Sequence, residues 1–281
     1  MKKVYFILFL ILFAGLVFFY LYFDFEKKAF IYSPFVFINL RLPRLFLALF
    51  MGLGLSMVGG LFQGIFRNPL AEPYVLGVSS GCAFGTVVGF FFSLEKVPVL
   101  GPYLLILLSL VSGLLTVVFI IWISQYRKNL NLMYLLLTGV IVNTFLFALE
   151  FILITFAFGR MQNVLLWLFG TLPVMDFPVV IVLMILILAG SVFILFHYRS
   201  INLLSISRDF LVSKGINLKR NTYSLFFVST LMMAVLTSVC GIIGFVGLIV
   251  PHLVRLMVGN DFKKIFQYSF ILGPLFVIFS D

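Results

Sequence analysis

The sequence predicts an all-α, polytopic transmembrane bundle, and three observations carry that prediction. The chain has 281 residues, 63% of them hydrophobic and only 10% charged, where a soluble domain carries about 25%. Too few polar side chains remain to cover a water-facing surface, so the solvent is lipid. The apolar runs are continuous and reach about 20 residues, the length a helix needs to cross the hydrocarbon core. In lipid every backbone N–H and C=O must be paired within its own segment, which favours helices. A transmembrane barrel would show short alternating segments instead.

The first run, 4–23, follows Lys2 and Lys3 and ends at Asp24 with no small-residue cleavage site. It reads as a retained helix rather than a signal peptide. Further spans are predicted at 45–66, 75–94, 103–123, 132–158, 178–197, 223–240 and 242–258, with a ninth from 265 that is cut short at Asp281.

The formal charge is +10. In a soluble chain so basic a balance would point to nucleic acid; here the positive-inside rule accounts for it and no nucleic-acid partner is expected. With the N-terminus in the cytoplasm, the inner side holds Lys2, Lys3, Arg67, Arg127, Lys128, Arg199, Arg208, Lys214, Lys219, Arg220, Arg255, Lys263 and Lys264. The outer side holds Lys27, Lys28, Arg41, Arg44, Lys96 and Arg160, a ratio of about two to one inward. Arg41 and Arg44 form an outer pair that this rule does not explain.

Two loops read as structured. The outer loop 159–177 contains Trp167, Gly170 and Pro173 and fits a short interfacial helix. The inner loop 199–221 contains SISRDFLVSKGINLKR. Ser207 is suited to cap a helix, Asp209 to lie in its first turn and Gly215 to end it in the left-handed position. Phe210 and Leu211 would give that helix an apolar face for a soluble partner. An ordinary basic loop is the other reading.

Between the first long runs lies RNPLAEPYVLGVSSG, residues 67–81. Pro69 and Pro73 end one helix and shape the turn into the next. The residues leave Glu72 two roles, contact with a partner or support of the turn. Gly77, Ser80, Gly81, Gly85 and Gly89 then place small side chains at helical spacing, which lets helices approach closely in lipid. Gly52, Ser56 and Gly60 repeat the device.

Within that stretch GVSSG matches G-x-S-x-G, the turn of serine hydrolases, with Ser79 as the nucleophile. The motif needs a strand–turn–helix context and a histidine, and the chain offers only His197 and His252. An intramembrane serine hydrolase using Ser79 is therefore the alternative from another class. His252 follows Pro251, which frees a backbone carbonyl one turn earlier, and reads as a structural residue. Cys82 and Cys240 lack metal-ligand spacing and read as buried small side chains. There is no HExxH and no Walker A pattern, so any ATP used must bind another chain. Glu150 is the one carboxylate in the middle of a complete span. It either lines a polar pathway, alone or with Asn143 two turns earlier, or is a protonated group at a helix contact.

Four segments together resemble one family. They are RLPRLFLALFMGLGLSMVGGLFQGIFRNPLAEPYVLGVSSG, LLLTGVIVNTFLFALEFILI, WLFGTL and GIIGFVGLIVPHLVRLMVGNDFKK. In this order and spacing they resemble the permease subunits of FecCD-type ABC importers. The resemblance implies a single permease domain over 1–281, about nine spans of a family-typical ten, in halves of opposite orientation. It implies import of a metal chelate, with ferric siderophore first and cobalamin or haem next.

The partners it implies are a second permease copy, two cytoplasmic ATPases and an outer substrate-binding protein, in the cell (inner) membrane. ATP and Mg²⁺ would sit on the ATPases; this chain would hold no cofactor or metal and catalyse no covalent step. Arg41 and Arg44 resemble the arginines that dock the binding protein. Ser207, Arg208, Asp209, Phe210, Leu211 and Gly215, within 199–221, fall where the family couples to its ATPase. Arg208 and Asp209 stand where two acidic residues are common, and Glu150 where the family has an uncharged residue. The family continues beyond Asp281, so a truncated C-terminus is expected.

Overall fold

The computed structural model describes residues 15, 17–18, 20–24, 29–30, 33–125, 132–156, 161–204 and 218–281. Residues 20–22 are helical, at the end of the first predicted run. A two-residue antiparallel pair follows, Phe23–Asp24 with Ala29–Phe30. The remaining architecture is helical: α1 Pro34–Ile65, α2 Val78–Phe91, α3 Gly101–Gln125, α4 Leu132–Phe156 and α5 Met161–Leu168. Then come α6 Phe177–Phe196, α7 Tyr198–Leu204, α8 Leu218–Cys240, α9 Val246–Val258 and α10 Phe262–Ser280. The short α5 lies within the predicted outer loop.

Helix α1 is the axis of the bundle. Pro34 starts it, where a missing N–H costs nothing. A π-helical turn at Phe37–Arg41, with Leu42 N bonded to Phe37 O, carries the chain into Pro43 without a break. In its most apolar window 83% of residues are buried, against 28% in α3 and 22% in α4. Helices α3 and α4 therefore turn wide apolar faces outward, Leu115, Phe119 and Trp122 on one and Phe145, Phe147 and Phe151 on the other. Such faces suit lipid.

Among the described residues six helices are long and apolar enough to cross a bilayer: α1, α3, α4, α6, α8 and α10. Two of the predicted spans are shorter. At 1.5 Å per residue, α2 and α9 extend only about 20 Å, less than the ~30 Å hydrocarbon core. Pro73 and the left-handed Gly77 (φ 77°) delay the start of α2, and Phe245 (φ 67°) immediately precedes α9. Each short helix thus follows a long one through a left-handed residue.

The two long–short pairs pack reciprocally: α1 lies against α9, and α8 lies against α2. Phe62 of α1 meets Phe226 of α8, while Gly54 faces Leu236. Residue numbers rise along one helix as they fall along the other, so α1 and α8 run antiparallel. This is the arrangement expected of two halves of opposite orientation.

Small residues set the closest approaches. A Cβ on Gly59 would come within 1.8 Å of the Gly247 carbonyl, and one on Gly52 within 2.3 Å of the Gly273 carbonyl. Ser56 Oγ donates to Ser269 O at 3.0 Å across the α1–α10 contact. The predicted small stripes therefore face partner helices.

Candidate functional site

The irregular backbone before α2 and the irregular backbone before α9 meet. Gly247 lies against Leu55 and Gly59 of α1, well inside the length of that helix. Non-helical backbone at such depth needs partners from elsewhere in the protein. Tyr74 supplies two: its hydroxyl donates to Ile243 O at 2.7 Å and accepts from Ile243 N at 3.1 Å. Glu72 supplies another, Oε1 accepting from Phe245 N at 3.2 Å. A carboxylate at the start of α9 also meets the positive end of that helix dipole. The Pro73 ring lies beside Gly247, 3.3 Å from where a Cβ would stand.

A third segment closes the junction from the other side. Thr171 N donates to Cys240 O at 2.8 Å. Gly170 (φ 70°) and Gly241 (φ 71°) touch backbone to backbone, each in the left-handed region that glycine enters without strain. Helix α4 lies beside the α2 side of the junction, with Gly139 O and Asn143 N the backbone atoms nearest a Cβ on Gly77. The RNPLAEP, WLFGT and CGIIGFVG stretches, far apart in sequence, therefore form one contact region. Glu72 here bonds to the backbone that leads into α9. Tyr74, Ile243 and Phe245 were not singled out by sequence; the available signal was a polar Glu-Pro-Tyr run inside a loop between apolar helices.

The predicted polar candidates are distributed as follows. Glu150 is buried, 3% exposed, and its Oε1 has no hydrogen-bond partner. No hydrogen bond joins it to Asn143: seven residues of helix separate their Cα atoms by about 10.5 Å of rise, beyond side-chain contact. Asn143 instead sits near the Gly77 turn. Ser79 Oγ is buried with no hydrogen-bond partner, so neither histidine contacts it as a base. His197 Nδ1 lies 2.8 Å from Phe193 O, within its own helix. Cys82 and Cys240 are both free and buried.

The Gly247 carbonyl, left without its helical donor by Pro251, packs against Gly59. Next to it Gln63 Nε2 donates to Leu248 O at 3.1 Å, and Arg255 donates to Gln63 Oε1 at 3.3 Å. The Arg255 guanidinium also lies over the Phe262 ring at 5.4 Å. His252 Nδ1 is buried without a partner.

At the opposite end of α1, Arg44 holds Asp281 through two hydrogen bonds of 2.6 and 2.9 Å, and Tyr20 donates to the same carboxylate. Arg41 donates to Leu21 O at 2.7 Å. Both arginines thus make internal contacts, while the Arg44 side chain stays 40% exposed. At the end of α1 that carries Gln63, Asn202 of α7 donates to Asp261 at 3.0 Å and accepts from Phe262 N at 2.9 Å, tying α7 to the start of α10. The coupling residues Ser207, Arg208, Asp209, Phe210, Leu211 and Gly215 lie outside the described residues. Among the described residues no group of three or more His, Cys, Asp or Glu is placed to hold a metal.

Comparison with known proteins matches residues 3–281 to the FecCD transport family. An uncharacterised ABC transporter permease protein of Bacillus subtilis, YvrB, is 33% identical over 88% of this chain and 70% of its own length. The cobalamin import system permease protein BtuC of Halobacterium salinarum is also 33% identical, over 86% of this chain and 64% of its own. A solved transporter assigned to the metal-chelate ABC type, in an inward-facing conformation, superposes with a TM-score of 0.86 at 27% identity. It covers 100% of this chain and 90% of that one.

Proposed function

The chain belongs to the FecCD transport family, and from that premise we propose that it is the membrane permease of an ATP-driven importer of a metal chelate. A ferric siderophore is the first cargo, with cobalamin or haem as the alternatives. The chain pairs with a second permease copy and with two cytoplasmic ATPases, which bind ATP and Mg²⁺. An outer binding protein delivers the cargo to the rim marked by Arg41 and Arg44. Ser207, Arg208, Asp209, Phe210, Leu211 and Gly215 pass the ATPase movement to the helices. The bundle then alternates between outward- and inward-open states because ATP binds those states with different affinity.

The observation that carries this reading is the reciprocal packing of two long–short helix pairs of opposite direction, joined at broken backbone inside the bundle. Inverted halves with discontinuous helices suit a pathway that opens to one side at a time. The test is reconstitution in liposomes with the partner ATPase and binding protein, offering ⁵⁵Fe-labelled ferric hydroxamate, ⁵⁷Co-cobalamin and ⁵⁵Fe-haem in turn. Uptake of one of them that requires ATP is expected. Equal uptake without the ATPase would assign the chain to channels or secondary carriers instead.

A further inference from the structure

We infer that Glu72 and Tyr74 form a fixed bridge between the loop that leads into α2 and the backbone that leads into α9. Through it the two half-helices move as one unit during transport. The inference takes its setting from the alternating-access reading, but its physical basis is separate.

Three hydrogen bonds cross the bridge: Tyr74 O–H to Ile243 O, Ile243 N–H to the Tyr74 hydroxyl, and Phe245 N–H to Glu72. All three serve backbone groups that no helix satisfies. Sliding α9 away from the loop would leave these groups without their partners, the two part-buried ones on Ile243 at the greater cost. Phe245 sits at φ 67°, a conformation that a non-glycine residue keeps only when its surroundings over-determine it. Its side chain is 65% exposed, so packing does not hold it there. Hydrogen bonds hold it on both sides, the Glu72 carboxylate on its N–H and the Leu248 and Ile249 amides on its carbonyl.

The bridge is braced on both flanks. Thr171 holds the Cys240 carbonyl, and Gly170 closes on Gly241 and Ile242. On the α9 side, Gly247 is pressed against Leu55 O and Gly59 of α1. The two short helices have separate packing partners, α2 chiefly α3 and α4, and α9 chiefly α1 and α10, so the bridge is the link between them. Glu72 and Tyr74 are positioning residues in this scheme; they act through the α9 backbone and need not touch cargo.

Spin labels at Phe91 of α2 and Leu253 of α9, both exposed positions, report the distance across the bridge. Measurement uses the full permease with its ATPase in lipid nanodiscs; the native cysteines are buried. The native complex should give one narrow distance that stays the same with and without trapped ATP. The pair of changes Glu72→Ala and Tyr74→Phe should broaden it roughly twofold and make it respond to nucleotide, as a loosened local unit does. Glu72→Gln keeps an acceptor oxygen and should keep the narrow distance; a broad one overturns the acceptor role. If the double variant fails to assemble, Tyr74→Phe alone carries the same expectation. A native distance that shifts with nucleotide, or a bridge variant that keeps the native distribution in both states, overturns the proposal. These distances need no cargo, so failure of the bridge is distinguishable from failure of uptake.

Discussion

The Tyr74 hydroxyl serves both backbone groups of Ile243, donating to the carbonyl at 2.7 Å and accepting from the N–H at 3.1 Å. Tyr74→Phe removes both partners and preserves the ring. A fully buried group left unsatisfied costs about 1–3 kcal/mol, so two part-buried ones should together cost on the order of 2–4 kcal/mol. A clear drop in unfolding temperature in detergent is expected. An unchanged temperature would show that the two bonds contribute nothing.

Gly59 and Gly60 are neighbours with opposite tolerance. At Gly59 a methyl group would fall 1.8 Å from the Gly247 carbonyl, which is backbone and cannot step aside. At Gly60 the nearest atom is a Phe266 ring carbon at 3.3 Å, which can give way. Gly59→Ala should force α1 and α9 apart and cost at least the ~1–3 kcal/mol of an overpacked core. Gly60→Ala should stay close to native. Yield of monodisperse protein and its thermal midpoint check both; equal behaviour of the pair would contradict the contact.

Arg44 makes a bidentate pair with Asp281 yet remains 40% exposed, so its outer edge is open to carboxylates on a docking protein. On the docking reading, Arg44→Glu should slow association with the binding protein, with the loss largest at low salt. Asp281→Asn removes the internal pair but keeps the cation, and should leave docking close to native. Surface plasmon resonance across a salt series separates the two. Matching losses in both variants would mean that Arg44 acts only by holding Asp281.

Asp261 begins α10, outside the membrane-spanning segments, and accepts from Asn202 and from Lys263 N at 3.0 and 3.1 Å. The Asn202 hydrogen bond is the main reason that its carboxyl titrates below the ordinary aspartate range, helped by the Lys263 amide and the nearby Lys264 and Lys263 charges. Because the folded value is depressed, the stabilisation is full at neutral pH. It is lost as pH falls through the ordinary value of about 3.9 toward the folded one. Amide exchange at residues 262–265 should stay slow at pH 7 and quicken in acid. In Asn202→Ala the quickening should begin at higher pH; an identical acid profile would remove Asn202 from the cap.

Much of the molecule was legible in the sequence because lipid constrains it strongly. Continuous apolar runs must become helices, which placed α1, α3, α4, α6, α8 and α10 before any coordinates. The spacing of Gly52, Ser56 and Gly60, and of Gly81 and Gly85, announced close helix contacts because a missing side chain has few other uses there. Pro69, Pro73 and Gly77 announced a break. Motif order was enough to point to the FecCD family.

Hydropathy could not show that α2 and α9 are half-length. Residues 75–77 and 242–245 are as apolar as the helices they interrupt, and the break is decided by backbone angles at Gly77 and Phe245. Nor could it pair Tyr74 with Ile243 or Glu72 with Phe245, which lie 169 and 173 residues apart. Composition says how each segment responds to lipid, and that response is local. Which unsatisfied backbone group finds which side chain depends on how the helices cross, and only the tertiary structure decides that.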